Sequence, residues 1–557
     1  MQRPKLSPLI AARFRALSEI ARSPGLRRLQ TSWFLFYVGE WAHVVALAVV
    51  AYEAGGVTEV GIVGFVRMVP AALAVPFASA LVDRYPRQLV LLYMNLLRAA
   101  SFAIAAVAIA ADGTNIVVYV AAAVAALGST AFRPAQWALL PALARTPREL
   151  VAGNVSYSLL EGIATFVGPA VAGVLIAVGD SSVVFLVATL CSLLAALAIG
   201  GIAGVSQMPS VSGPSSVKDE LLAGVSMAAG QPEQRLLMSL FGSQLLVRGF
   251  LNVLIVVASI ELLDSGESGV GFLNSALGVG GLLGALAAIS LVDRERLGPS
   301  VALGLALWGL PIAAIGVLPE FAAALLALVV VGIGNSVLDV SGLTLLQRAT
   351  PGQILGRVFG VLEAMAVLFV AVGAILTPLI VELLGTRGAL VAVGAILPSL
   401  ALLSRRPLDR VDDAVPQPRE EELSLLRSIA IFAPLDGATL QQLAVRLEKS
   451  SALAGTEIIR EGDPGDLFYV VGKGRLRVTS NGVRTATLDP GDFFGEIALL
   501  RNVPRTATVT AESDVQLYSL ERDVFVSAVS GHPQSTETLD AAINARTLSL
   551  RLPTAPL

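Results

Sequence analysis

About twelve apolar stretches, each near the ~20 residues needed to cross a bilayer, fill the chain between Thr31 and Leu403. They fall near 31–53, 59–82, 88–110, 114–139, 152–177, 183–204, 236–261, 269–292, 300–318, 321–347, 356–381 and 386–404. Such a series reads as an all-α membrane domain. Charged residues make up only 15% of 557 while hydrophobic ones reach 55%, which excludes an ordinary cytosolic protein. The charges also have a side. Arg84, Arg87, Arg145, Arg148, Lys218, Arg235, Arg294, Arg296, Arg348, Arg357, Arg405 and Arg406 fall on the side of the N-terminus. Glu53, Glu59, Asp112, Asp180, Glu261, Asp264, Glu267 and Glu320 fall on the other. Basic loops stay in the cytoplasm. Both termini of a multi-pass protein of the cell (inner) membrane are therefore expected there, with the lipid bilayer as its surroundings.

Residues 1–30 carry seven arginines and lysines among apolar residues at helical spacing, and read as a basic cytoplasmic segment orienting the first span. The sequence then repeats itself. Leu81-Val-Asp83-Arg84 returns as Leu291-Val-Asp293-Arg294, and Leu160-Glu161 as Leu362-Glu363, at offsets close to two hundred residues. Two parallel six-helix halves follow, over 31–206 and 236–404, joined by a polar loop over 207–235.

At these residues the chain resembles the major facilitator superfamily. Ser79-Ala-Leu-Val-Asp83-Arg84-Tyr-Pro-Arg87 is similar to its loop signature after helix 2, with Ser79 and Pro86 in place of the usual glycines. Gly162 with Gly168-Pro169-Ala-Val-Ala172-Gly173 resembles the antiporter signature of helix 5. Gly39-Glu40-Trp41 and Phe132-Arg133-Pro-Ala135 resemble the drug- and lipid-exporting branch. The resemblance implies alternating access, with Asp83, Arg84, Arg87, Asp293 and Arg294 as gating residues.

Charges within the spans need a partner or a wet cavity, since one at the bilayer centre costs at least ~2.5–3.5 kcal/mol. Glu40, Arg67, Arg98 and Glu161 reach mid-depth in the first half; in the second, Arg248 does, with Asp339 and Glu363 nearer the cytoplasm. Opposite signs in each half predict ion pairs facing a central cavity. Glu40 is the expected proton or cation acceptor, with His43 one turn away and able to share a proton. Arg67, Arg98, Arg133 and Arg248 divide between holding the bundle and anchoring substrate. Cys191, Trp137 and Trp308 are expected in the core or against lipid.

Residues 405–422, polar and with three prolines, read as an extended cytoplasmic spacer. Beyond them the composition becomes that of a soluble domain over 423–550, with a tail over 551–557. Its centre is Asp492-Phe-Phe-Gly495-Glu496-Ile497-Ala498-Leu-Leu-Arg-Asn-Val-Pro504-Arg505-Thr506-Ala-Thr508. Gly495 lets backbone approach a ligand without a Cβ in the way. The following residues can form a helical turn whose free N–H groups face an anion. Arg505 offers a planar fork matched to phosphate oxygens, and ionised Glu496 accepts from a hydroxyl. Together these describe a nucleotide pocket.

The same run resembles the phosphate-binding cassette of cyclic nucleotide-binding domains, a β-roll with flanking helices. The resemblance implies Glu496 on the ribose 2′-hydroxyl, Arg505 on the cyclic phosphate, and N–H groups around Ile497, Ala498 and Thr506. Short strands such as 466–471 and 475–479 are separated by glycine turns, and Leu539, Ile543 and Leu548 are candidates to cap the base. The expected regulatory ligand is a cyclic nucleotide, cAMP only slightly ahead of cGMP, since in similar domains a hydroxyl at the position of Thr506 can also meet a guanine amino group.

Nothing in the sequence points to nucleic acid, since no domain is basic. One cysteine and two histidines exclude a Cys- or His-rich metal site. No nucleophile–base constellation stands out, so an enzyme is not expected. The expected function is a secondary transporter exporting a lipophilic or amphipathic, small-molecule or lipid-like solute under cyclic nucleotide control. The alternative is a membrane-anchored cyclic nucleotide sensor whose transporter half no longer transports.

Overall fold

The computed structural model describes residues 23–144, 147–202, 231–288, 296–350, 352–414, 420–435, 437–501, 503–530, 535 and 539. Residues 1–22 of the basic segment expected over 1–30, most of the loop over 207–235, and Asp293 and Arg294 lie outside the described residues. The chain divides between Asp413 and Ala414 into two compact units.

The first unit is helical: α1 (Pro24–Arg84), α2 (Arg87–Ala110), α3 (Asn115–Thr130), α4 (Phe132–Leu143), α5 (Pro147–Val178), α6 (Ser181–Gly200), α7 (Pro232–Val257), α8 (Gly266–Ala288), α9 (Gly298–Val317), α10 (Phe321–Arg348), α11 (Gly352–Leu403) and α12 (Arg405–Ala414). Among the described residues, ten stretches are long and apolar enough to cross a membrane. Two of them, Pro24–Ala71 and Val358–Leu403, run 48 and 46 residues. At ~1.5 Å per residue each would be over twice a ~30 Å core. Each is two crossings joined at glycines with positive φ, Gly56 at +63° and Gly385 at +69°, a conformation that costs glycine little. Twelve crossings result, as the apolar periodicity predicts, and the chain is a multi-pass membrane protein. The first helix starts at Pro24, before the expected residue 31, because proline fits a helix's first turn. Asp180 caps α6, its Oδ1 accepting from the backbone N–H of Ser182 at 2.7 Å.

The two halves meet closely at the end of the bundle marked by Gly56 and Gly385. A Cβ on Gly61 would stand 2.8 Å from the Ala374 carbonyl oxygen, and one on Gly271 2.4 Å from the Gly173 nitrogen. Backbone thus touches backbone between α1 and α11 and between α5 and α8. At the same end Glu261, in a π-helical turn after α7, accepts from Tyr52 at 2.6 Å and Thr386 at 2.8 Å. One carboxylate ties three separate segments.

The spacer expected over 405–422 is not extended: residues 405–414 are α12, and helix resumes at Glu420. Leu408 and Val411, three apart, are buried. Asp412 accepts from the backbone N–H of Leu297 at 3.1 Å and Gly298 at 2.8 Å, and Arg296 pairs with Asp413 at 3.0 Å. The carboxylate at the α9 N-terminus satisfies donors that a helix start leaves unpaired. This holds α12 against the bundle.

The second unit holds α13 (Glu420–Ser428), α14 (Gly437–Arg446), α15 (Glu496–Arg501) and α16 (Arg522–Ser530) around eight strands. The strands are β1 (Glu448–Ala452), β2 (Glu457–Ile459), β3 (Leu467–Lys473), β4 (Leu476–Ser480), β5 (Val483–Leu488), β6 (Phe493–Phe494), β7 (Thr508–Ala511) and β8 (Val515–Glu521). They form two antiparallel four-stranded sheets, β1-β8-β3-β6 and β2-β7-β4-β5, a β-roll. Val471, Leu476, Val509 and Leu517 fill the space between the sheets. A second core packs Phe432, Phe468 and Phe525 between sheet and helices. Leu539, expected over a ligand base, is buried in that second core instead; Ile543 and Leu548 lie outside the described residues.

Candidate functional site

The β-roll carries a small cavity, about 100 Å³, lined by Phe494, Gly495, Glu496, Ile497, Ala498, Arg505 and Thr506 beside strand residues such as Val478 and Leu488. The cassette builds it locally. β6 ends at Phe494, Gly495 turns the chain at φ +92°, and α15 starts at once. The first N–H groups of a helix have no intrahelical acceptor, and the α15 first turn lines the cavity with Glu496, Ile497 and Ala498. Arg505 is 5% exposed; its Nη1 donates to the Gly495 carbonyl at 3.1 Å and its Nη2 to that of Leu467 at 2.8 Å. Burial pushes the guanidinium pKa below the usual arginine value, opposed by nearby Tyr469, Asp466 and Glu496. Glu496 is 1% exposed. The six predicted pocket residues are therefore together. Gly465 is also part of the support: a Cβ there would be 2.8 Å from Arg505 Nε.

In the helical unit a cavity of about 1270 Å³ lies between the two halves, with walls from α1, α5, α7, α8, α9, α10 and α11. Among the described residues its charged lining is Arg67 and Arg248, without an aspartate or glutamate. Of the Glu40 ion-pair cluster expected to face this space, Arg67 lines the wall. Glu40 is held by Arg98 Nη1 at 3.0 Å and Arg67 Nη1 at 3.5 Å, with Ser129 bridging: Arg98 donates to its Oγ at 2.7 Å, and that hydroxyl donates to Glu40 at 3.3 Å. Arg98 is fully buried, its guanidinium 3.9 Å over the Phe36 ring. His43 lies 3.9 Å from the same carboxylate, but its Nδ1 is 3.2 Å from the Gly39 carbonyl. An Nδ1–H donated there fixes the tautomer, and the same nitrogen is the one nearest Glu40.

Glu161 does not join this cluster. It pairs with Arg133 at 2.5 Å, while Arg133 Nε donates to Tyr37 at 2.7 Å. Asp339 accepts from Asn335 at 2.8 Å, and the Asn335 carbonyl accepts from Gln244 at 3.1 Å and Trp308 at 3.0 Å. Trp308, expected only as core or lipid-facing, is buried and lines the cavity too; Cys191 is core. Glu363 is exposed. Arg84 is exposed at the end of α1, and Arg87 opens α2. Sequence reading missed Ser129, Asn335, Gln244 and Tyr37, because neutral polar residues in an apolar helix give no signal before their partners are known. Among the described residues no cluster of three or more His, Cys, Asp or Glu could hold a metal.

Comparison with known proteins divides along the same units. The model of the Major Facilitator Superfamily matches residues 31–294 and 236–447, and that of the cyclic nucleotide-binding domain matches 450–532. A cAMP-dependent protein kinase regulatory subunit from Yarrowia lipolytica is 38% identical over 126 residues, covering 21% of this chain and 34% of that protein. The one from Eremothecium gossypii is 39% identical over 95 residues, covering 17% and 21%. The chain thus spans at most about a third of these relatives. A solved POT family transporter in complex with a thioalcohol conjugated peptide has a TM-score of 0.56 at 14% identity, over 70% of this chain and 96% of that one. At that identity the likeness is one of fold.

Proposed function

Because this chain belongs to the major facilitator superfamily and carries a cyclic nucleotide-binding domain after its last crossing, we propose that it is a secondary transporter under cAMP control, exporting a lipophilic or amphipathic solute. The observation that carries this reading is one chain holding both parts: a large cavity framed by two halves that close at one end, and a pocket built around Gly495, Glu496 and Arg505. The arginine-rich loops support a reading in which both termini and the nucleotide pocket are cytoplasmic. The closed end, with Tyr52, Glu261 and Thr386, then faces outward, and the cavity receives solute from the cytoplasmic side.

In the pocket, Glu496 takes the ribose 2′-hydroxyl, Arg505 the cyclic phosphate, and the first N–H groups of α15 its remaining oxygens, with Thr506 beside them. Arg505 exchanges the Gly495 and Leu467 carbonyls for phosphate, a charge-assisted and stronger partner. cAMP is favoured over cGMP because the regulatory subunits that resemble this domain are named for cAMP. In the membrane unit, Glu40 is the proton acceptor of the transport cycle, and Arg67 and Arg98 set its charge. The arginine-bearing loop between the first two helices and its counterpart in the second half gate alternating access. Nucleotide acts on transport only by binding two states of the whole protein unequally.

Flux into proteoliposomes holding the full-length chain, with and without cAMP, tests the reading. Uphill movement of an amphipathic solute that changes severalfold with cAMP is expected. Flux indifferent to saturating cAMP would remove the control, and no flux for any solute would favour a sensor.

A further inference from the structure

The walls of the central cavity carry an unbalanced charge, and that imbalance has a chemical meaning. Among the described residues its lining holds two guanidinium groups, Arg67 from the first half and Arg248 from the second, and no carboxylate. In the first half two buried or half-buried arginines, Arg67 and Arg98, share the single carboxylate of Glu40, which leaves one positive charge in excess. Arg98, at 3.0 Å, holds it more closely; Arg67 stands off at 3.5 Å, and its Nη1 has no hydrogen-bond partner. In the second half Asp339 is hydrogen-bonded to Asn335 and interacts with Arg248 only electrostatically, without a contact ion pair between them. A buried or half-buried cation without a partner is costly, and membrane proteins keep such groups where a ligand or pathway uses them.

The rest of the lining is apolar or neutral. Trp41, Val63, Leu282 and Val367 supply hydrocarbon and aromatic surface, and Asn252 and Asn274 the neutral polar groups. At about 1270 Å³ the cavity exceeds the ~300–1,000 Å³ usual for small-molecule pockets. It is too large for a coupling ion alone.

We propose that the cavity takes an amphipathic anion, its apolar body against the Trp41, Val63 and Leu282 surface and its carboxylate or phosphate head between Arg67 and Arg248. This rests on the transporter reading above and narrows its substrate class: cationic lipophiles are disfavoured by the two guanidiniums on the cavity wall, while an anion adds a partner to both. One arginine comes from each half, so the head group also joins the halves. Guanidinium forks suit planar carboxylate and phosphate heads alike, and the two heads are separate arms of the test.

The test uses full-length protein in nanodiscs and four ten-carbon probes: decanoate, decyl phosphate, decanol and decyltrimethylammonium. Empty nanodiscs correct for partition into lipid. Binding is read by the change in tryptophan emission, to which Trp41 and Trp308 on the cavity wall contribute, with Arg248→Gln and Arg248→Lys alongside wild type. Expected are at least tenfold tighter binding of one or both anions than of decanol, and weaker binding of the cation. Arg248→Gln should remove most of that preference while changing decanol binding less than twofold, and Arg248→Lys should retain part of it. Decanoate against decyl phosphate then says which head is preferred. Equal affinities across the series on wild type, a preference for the cation, or an unchanged anion preference in a folded Arg248→Gln protein would each overturn the proposal. Flux of the same probes separates the two readings. Anion-selective binding with no flux supports the site and sinks transport; flux of the uncharged or cationic probe alone supports transport and sinks the anion.

Discussion

Gly495 and Arg505 are fitted so closely that a Cβ on the glycine would lie 2.6 Å from the Nη1 of the arginine. The glycine also holds φ +92°, where a side chain is strained at ~1–3 kcal/mol. Gly495→Ala should therefore displace the phosphate-seeking group as well as strain the turn. Arg505→Ala should cost at least ~1.5–3 kcal/mol of cAMP binding, the range for hydrogen bonds to a charged group. Calorimetry on the full-length protein checks both variants. Unaltered affinity in Arg505→Ala would end the assignment of this cavity to a cyclic phosphate.

Glu40→Gln keeps the shape of the side chain but cannot cycle a proton. If Glu40 carries the coupling proton, the variant should lose pH-driven uphill transport and keep most substrate binding. It also leaves Arg98 buried without its anion, which should lower stability by ~3–5 kcal/mol. Pairing the change with Arg98→Gln should recover part of that loss in a thermal melt. A Glu40→Gln protein that still concentrates solute under a pH gradient would show the proton to travel elsewhere.

Closure of the bundle end near Gly56 depends on glycines facing backbone. A Cβ at Gly271 meets the Gly173 nitrogen at 2.4 Å and its Cα at 2.5 Å, neither of which can move aside. Gly271→Leu should bias the protein away from this closed arrangement. Labelling of an introduced Val270→Cys by a membrane-impermeant maleimide should then speed up severalfold. The same rate with and without the leucine would mean that closure does not pass through this contact.

Asp412→Ala removes the acceptor that caps α9 through Leu297 and Gly298. Loss of such a cap costs ~0.5–2 kcal/mol. Hydrogen exchange over residues 297–301 and 405–414 should become faster in the variant, with the other crossings unaffected. Uniform acceleration throughout the bundle would instead indicate a global loss of stability.

The twelve crossings were legible because a bilayer imposes one length on every one of them, and the cassette because its turn, helix start and arginine lie within eleven residues from Gly495 to Arg505. What escaped depended on contacts distant in sequence. Residues 405–414 look like a spacer until the α9 N-terminus supplies partners for Asp412, more than one hundred residues away. Opposite charge pointed to a pair for Glu40, but not to which arginine. Glu161 was out of reach for a similar reason: its partner Arg133 is also held by Tyr37, a link between three helices that no local pattern announces.

The burial of Arg98 against Glu40 sets an order on biogenesis. As a lone segment, α2 brings an arginine into the membrane core at a penalty of ~2.5–3.5 kcal/mol on the insertion scale. Glu40 precedes it by 58 positions, as the numbering shows, so the anion is synthesised first and can be waiting when the cation arrives. Helix α1 is in this sense an intramolecular receptor for α2 during insertion. Glu40→Gln should then reduce the fraction of nascent chains that integrate α2, a defect visible by glycosylation mapping before any transport cycle has begun.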